Sequence, residues 1–303
     1  MSSYPDDLRD LVESYLTGLR FAGIPETEGL DEAMRYSLLA GGKRIRPVLA
    51  LATARSLGVE PEAMLPAAAA IELIHTYSLI HDDLPAMDDD ELRRGRPTSH
   101  VVFGENVAIL AGDGLFAEAL RLFLAHQRGE PASVVAALRE LLGAIGVDGM
   151  VGGQYVDVTT SLPTDPASPG GVAATQPATE LRKLHELKTG RLIAASVVVP
   201  LLLAGLSDER LDPYRRFANE LGVLFQIVDD ILDVTGTDAD LGKPHGSDER
   251  HGKRTYVSEF GLEGARTMAR ASHEQARAAL ASAAPHGAPE LERITDFIAT
   301  RTS

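Results

Sequence analysis

The sequence predicts an all-α chain, and three observations carry that prediction. Apolar residues recur at helical spacing through most of the length, and no segment alternates convincingly with period two. The composition is 44 % hydrophobic but only 5 % aromatic, with no tryptophan, so aliphatic side chains and alanine must build the core. The 303 residues suit one large domain or two small ones. With no linker and no fixed-period repeat, residues 1–303 are expected to form a single domain.

Leu8, Leu11, Val12, Tyr15, Leu16 and Leu19 mark one face of a helix over residues 6–20. Similar patterns predict helices near 28–40, 44–57, 61–84, 106–127 and 131–147, then near 176–205, 208–235, 262–284 and 288–300. Residues 161–178, rich in Pro, Gly, Ser, Thr and Ala, read as a mobile loop, and the polar stretch 236–253 reads as a second loop. The apolar run Leu192 to Leu206 is broken by Ser196 and Pro200; at 15 residues it is short for a membrane span and reads as a buried helix. No membrane span is expected. The N-terminus lacks a basic start followed by an apolar run, so no signal peptide is read there. The absence of cysteine excludes disulfides, thiolate metal sites and thiol nucleophiles, and is consistent with a cytoplasmic location. A formal net charge of −15 argues against a general nucleic-acid binder.

Chemistry concentrates in two carboxylate clusters. The run Ala67 to Ile80 is apolar almost all round, as in a buried helix, yet it leads into Asp82, Asp83, Asp88, Asp89, Asp90 and Glu91. Carboxylates crowded near a buried helix end must be protonated or neutralised by cations. Asp82 and Asp88 are six apart and would lie on different sides of an ideal helix, with Pro85 between them. The helix is therefore expected to break near Pro85 and return Asp88 to Asp82. In LGVLFQIVDDILDV, Asp229 and Asp233 stack four apart on one helix face, with Asp230 beside them. Carboxylates without His or Cys suit a hard ion such as Mg²⁺, whose shell is completed by water and substrate phosphates. Two such sets facing across a cavity would grip a diphosphate through several metals. The plainer reading is an acidic, solvated loop, which fits one cluster better than two on apolar helices.

Cations accompany the clusters. Of the 29 basic residues only Lys43, Lys183, Lys188, Lys243 and Lys253 are lysine, and four of these five fall in motifs near the carboxylates. In GGKRIRP, Gly41 and Gly42 precede Lys43, Arg44 and Arg46, a weak phosphate signal that a helix-capping turn explains equally well. Arg93 and Arg94 follow the first cluster, where the alternative is simple pairing with neighbouring acids, the reading that suits Arg96.

Together, GGKRIRP, HDDLPAMDDDELRRGRPT, GDGL, GGQYVDV, KTG, FQIVDDILD, LGK and GKRTY resemble, in order, the trans-isoprenyl diphosphate synthases of the polyprenyl synthetase family, from about Arg35 to Arg301. The resemblance implies a large helical bundle of isoprenoid-synthase type around a deep central cavity, and a homodimer. It implies head-to-tail condensation of isopentenyl diphosphate with an allylic diphosphate such as dimethylallyl or geranyl diphosphate. It assigns Asp82, Asp83 and Asp88, with Asp229, Asp230 and Asp233, to Mg²⁺, three ions with substrate bound. Arg93, Lys188, Gln226, Lys243 and Lys253 would contact the allylic diphosphate; Lys43, Arg46, His75 and Arg94 would hold isopentenyl diphosphate. Thr189 would lie near the developing cation. Asp82, Asp83, Asp88, Arg93, Lys188, Thr189, Asp229 and Lys243 are thus the expected catalytic set, while His81, His100 and Asp113 read as packing or supporting residues. The long 161–178 segment departs from many relatives.

Chain length is expected to depend on Tyr77 and Ser78, five and four residues before Asp82 and so roughly 6–8 Å deeper along the helix. Tyr77 with the two extra residues of the first motif resembles bacterial farnesyl diphosphate synthases, although relatives with the long motif also make the twenty-carbon geranylgeranyl product. A class I terpene cyclase would lack the second aspartate motif followed by lysine and the Lys43/Arg46 site. A non-catalytic partner subunit would typically have lost aspartates that this chain keeps.

Overall fold

The computed structural model describes residues 4–161, 177–236 and 253–301. Lys243, and nearly all of the expected loops at 161–178 and 236–253, lie outside the described residues. The chain divides into two compact units.

The first unit comprises Met1–Leu138, Val199–Ser207 and Ala288–Ile294. It contains α1 (Asp6–Gly18), α2 (Glu28–Leu38), α3 (Ile45–Ser56), α4 (Leu65–Asp82), α5 (Ser99–Phe103), α6 (Glu105–His126) and the start of α7 (Pro131–Ile145). Its centre is α4. Ala67–Ala70 are strong helix formers, and every residue from Ala67 to Ile74 is buried, with α1, α2, α3 and α6 packed around them. Ile71, Leu73 and Ile74 are fully enclosed, and truncating one to alanine costs about 2–5 kcal/mol. The segment Pro61–Asp82 would be long and apolar enough to cross a membrane, longer than the run singled out from the sequence, but 72 % of its most apolar window is buried in this core. Close approach of α6 to α4 depends on Gly112, where a Cβ would lie 2.1 Å from His81 Nε2.

After Asp82 the chain leaves the helix as expected. Asp88 N–H donates to the Asp82 carbonyl at 2.9 Å, which folds the loop back on the helix end. A small antiparallel hairpin follows, β1 (Leu92–Arg93) with β2 (Arg96–Pro97), which period-two patterning did not reveal. Its turn residues, Arg94 and Gly95, have φ of 53° and 72°, the backbone of a tight I′ hairpin turn.

The second unit comprises Arg139–Val198, Asp208–Gly287 and Thr295–Ser303. It holds the rest of α7, α8 (Met150–Ser161), α9 (Pro177–His185), a π-helical turn (Glu186–Gly190), most of α10 (Arg191–Leu203), α11 (Asp208–Thr235), α12 (Tyr256–Ala283) and the end of α13 (Pro289–Thr300). α11 packs along α12, and Leu181, Ile227, Tyr256 and Ala265 form a small core joining them to α9. Gly261, at φ 71°, interrupts α12 after its first turn, which is why the apolar periodicity begins only near 262. α8 has no counterpart among the predicted helices. Gly152 and Gly153 and the β-branched Val156, Val158, Thr159 and Thr160 disguise it. Those glycines are packing devices: a Cβ on Gly152 would meet Val147 O at 1.7 Å, and one on Gly153 would meet Lys188 N at 2.3 Å.

Candidate functional site

In the first unit, Gly41, Gly42, Lys43 and Arg44 form the turn joining α2 to α3. Gly41 and Gly42 have φ of 80° and 123°, and a Cβ on Gly42 would lie 2.7 Å from the Arg94 guanidinium carbon. An Arg94 N–H donates to the Gly41 carbonyl, so the glycines admit an arginine from 53 residues away. Arg44 takes φ 52° and is buried at 2 % exposure. It donates to Glu72 at 2.6 Å, to Glu13 at 2.7 Å and to the Leu38 carbonyl at 2.7 Å. This clamp ties the turn to α1 and α4, between Lys43 and Arg46. Neither acid was singled out as functional from sequence, although Glu72 was visible as a charge on an apolar helix.

Arg46 donates to His75 Nε2 at 3.3 Å. Burial first, then the Arg46 and Arg94 charges, pushes His75 well below its ordinary pKa. The ring is therefore neutral, Nε2 accepts, and the proton resides on Nδ1. Burial also pulls the Arg94 guanidinium down, aided by Arg44 and Arg93 and opposed by Glu72. The expected isopentenyl diphosphate contacts Arg46, His75 and Arg94 thus form a cationic group with a neutral imidazole inside it, beside the turn that carries Lys43.

At the α4 terminus the aspartates differ. Asp82 and Asp88 are half-buried, whereas Asp83 is 4 % exposed. Arg93 reaches Asp83 Oδ1 through Nε and Nη2, each at 2.6 Å, and Asp90 at 3.4 Å. Burial still drives the Asp83 carboxyl up to about 6; Arg93 opposes the shift, and Asp90 and Asp88 add to it. Among the described residues Arg96 pairs with no acid, contrary to what its neighbours suggested; its guanidinium lies 4.4 Å over the Tyr36 ring. A pocket between α2, α4 and the hairpin is lined by Tyr36, Thr76, Asp83, Arg93, Arg94 and Thr98, among others. His100 Nδ1 lies 3.1 Å from Thr98 Oγ1, and His81 Nε2 is 3.1 Å from the Ile109 carbonyl and 4.0 Å from Asp113. Tyr77 packs edge-on to Phe116 and to His81, with centroids 5.3 and 5.7 Å apart, and burial pushes its phenol up to about 12. Ser78 returns its hydroxyl to the His75 carbonyl at 2.9 Å.

In the second unit the KTG motif forms the π turn. Lys188 donates to Asp157 at 2.5 Å, and Thr189 donates to Gln226 Oε1 at 2.9 Å. Glycine contacts hold the turn on both sides, Gly153 from α8 and Gly222 from α11, where a Cβ would lie 2.9 Å from Gly190 Cα. Asp157 was missed: GGQYVDV was recognised as a motif, but a partner 31 residues away leaves no local signal. On α11, Asp229 projects outward, its side chain 57 % exposed, and meets Arg301 at 3.1 Å. Asp230 and Asp233 are buried, at 1 % and 5 %. Lys253 lies just before α12, whose first turn closes with a Thr255–Ser258 capping box. His185 stacks on Tyr256 with centroids 5.4 Å apart, and burial pulls its imidazole down to about 4.

Among the described residues no three His, Asp or Glu side chains converge into a closed ligand shell. The donor set fits Mg²⁺ nonetheless. Each motif supplies carboxylate oxygens alone, the Asp82 pair drawn together by the Asp88 fold-back, and Mg²⁺ ordinarily takes one or two carboxylates with water and phosphate.

The family model for polyprenyl synthetase matches residues 27–288. A farnesyl diphosphate synthase of Geobacillus stearothermophilus is 44 % identical over 274 residues, spanning 90 % of this chain and 88 % of that protein. The large subunit 1 of a heterodimeric chloroplast geranylgeranyl pyrophosphate synthase of Arabidopsis thaliana is also 44 % identical, over 90 % of this chain and 72 % of its own. Among solved structures, the Helicobacter pylori geranyltransferase complexed with magnesium and isoprenyl diphosphate superposes with a TM-score of 0.82 at 31 % identity, covering 97 % and 94 % of the two chains.

Proposed function

The chain belongs to the polyprenyl synthetase family, and on that premise we propose that it condenses isopentenyl diphosphate head-to-tail with allylic diphosphates to give a short-chain trans-prenyl diphosphate. The observation that carries the reading is the paired arrangement at the α4 terminus: a carboxylate set refolded by Pro85 and Asp88 beside a cationic group built from Arg46, Arg93 and Arg94. One surface there suits metal and another suits phosphate.

Asp82 and Asp88, and on the other unit Asp229 and Asp233, are the carboxylates we assign to Mg²⁺. These carboxylates would hold Mg²⁺, which would supply Lewis-acid neutralisation of the diphosphate leaving group. Arg93 on the first unit, and Lys188 on the second, are the cations we assign to orienting a diphosphate and sharing its charge as the carbon–oxygen bond breaks, with Lys243 and Lys253 contributing from the sequence that follows the second motif. Lys43, Arg46 and Arg94 hold the second diphosphate, while neutral His75 accepts from Arg46 and keeps that guanidinium aimed. Thr189, whose Oγ1 donates to Gln226, is the residue we assign beside the developing cation. No protein base is required, because the released diphosphate can take the proton.

Tyr77 backed by Phe116 supports farnesyl diphosphate as the main product. Geranylgeranyl diphosphate is the second reading, since relatives at similar identity carry that name. A homodimer is supported by exposed apolar side chains on two helices, Val101 and Val102 on α5 and Ile109, Leu110 and Leu124 on α6. The deciding experiment supplies purified protein with isopentenyl diphosphate, Mg²⁺ and dimethylallyl, geranyl or farnesyl diphosphate, with products identified by mass spectrometry. A fifteen-carbon product abolished by chelation is expected. A cyclised hydrocarbon, or no condensation, sinks the reading. Tyr77→Ala should lengthen the product, and an unchanged distribution removes Tyr77 as the floor.

A further inference from the structure

Asp230 has the lowest exposure of the carboxylates in its motif, at 1 %. Both of its oxygens face N–H donors. Gln226 Nε2, one turn earlier on α11, donates to Oδ1 at 2.7 Å, and the backbone N–H of Tyr256 donates to Oδ2 at 2.7 Å. Gln226 uses its other amide atom to accept from Thr189. Tyr256 opens α12, so Asp230 also meets the partial positive charge of that helix start. Lys253 lies three residues before it.

These partners differ from those of Asp83 and Asp229, which meet the cations Arg93 and Arg301. A bound diphosphate or metal can compete with a carboxylate for a side-chain guanidinium. A backbone N–H at a helix start cannot swing away, so Asp230 stays anchored between α11 and α12 whatever binds nearby, and rotating it out of that position would leave a buried donor unsatisfied.

We propose that Asp230 is a positioning residue and not a metal ligand: it fastens Gln226, and through it Thr189 on the π turn, to the start of the helix that follows Lys253. The assignment rests on the prenyl-transfer reading above for its effect on rate, but its hydrogen-bond content stands independently. Three elements that must act on one substrate share a single buried carboxylate, which fixes their mutual spacing.

Asp230→Asn tests it. An asparagine offers one oxygen and one NH₂, so either Gln226 or Tyr256 loses its acceptor whichever way the amide lies. Amide exchange at Tyr256–Glu259 should accelerate by roughly tenfold to a hundredfold, and kcat should fall by a similar factor. Mn²⁺ binding in the presence of inorganic diphosphate, followed by electron paramagnetic resonance, should keep its stoichiometry, whereas Asp229→Ala should lose an ion. Loss of an Mn²⁺ in Asp230→Asn with unaltered exchange overturns the proposal. Should that variant not fold, the unmodified enzyme decides: the Tyr256 amide should stay protected when Mg²⁺ and inorganic diphosphate are added, and deprotection on loading overturns the proposal. Failure of the unmodified enzyme to turn over would instead strike the prenyl-transfer reading and leave the Tyr256 result intact.

Discussion

At the end of α4 the second aspartate of the motif is held by a cation; in the last two turns of α11 its counterpart accepts from a side-chain amide and a backbone N–H. Asp83 pairs with Arg93, itself a proposed diphosphate contact, from a hairpin that follows a helix break. Asp230 sits inside a continuous helix and binds an amide and the backbone of a second helix. The first arrangement can exchange partners when phosphate arrives. The second is part of the framework. Burial is similar in the two cases; what sets Asp230 apart is that one of its donors is a backbone N–H, which cannot leave as a side chain can.

The sharpest way to break this comparison lies with the first aspartate of the α4 motif. Asp82→Ala should lower kcat by about 10³-fold or more, ~4 kcal/mol of transition-state stabilisation. Near-normal turnover would remove the first motif from the chemistry. Next comes the switchable pair. Arg93→Lys keeps the charge but loses the fork that reaches Asp83 through two nitrogens, and KM for the allylic diphosphate should rise roughly tenfold with a smaller change in kcat. An effect confined to kcat would make Arg93 part of the fixed framework instead.

The fixed side is probed by Gly153→Ala. Its methyl group would press on the Lys188 backbone, where nothing flexible can yield, so the variant should lose about 1–3 kcal/mol in urea unfolding and turn over more slowly. Full stability would show that the π turn is not gripped as drawn. The smallest expected effect concerns pH. His185 titrates near 4 when folded and near its usual 6.5 when unfolded. The unfolded chain therefore binds the proton first, and this contribution to stability is present above about 6.5 and declines as pH falls toward about 4. His185→Phe preserves the stack on Tyr256 and should flatten stability over that window, measured by urea titrations at several pH values.

Much of the first motif could be read in advance because its signals are local. Pro85 breaks a helix within a few residues of itself, and the return of Asp88 follows from the six-residue spacing. The helix periodicities likewise report neighbours three and four apart. What stayed hidden depends on partners distant in sequence. Gly41 and Gly42 suggested an approaching anion, but the group beside Gly42 is the Arg94 guanidinium. No helix is predicted around Gly152-Gly153, because the reason for the second glycine, contact with Lys188, lies 35 residues downstream of it. Asp157 and the Arg44 clamp were invisible for the same reason: a buried ion pair leaves no periodicity.

The π turn at Glu186–Gly190 has a geometric consequence of its own. A π turn carries one residue more than an α turn, so each residue downstream is rotated by about 100° from where an uninterrupted helix would put it. Deleting a single residue here would let α9 and α10 run as one regular rod with better backbone bonding. It would also swing Lys188 or Thr189 off its neighbour, Asp157 or Gln226. A local irregularity is thus what allows adjacent residues of one segment to address two different helices, and a more regular chain would be the less capable one.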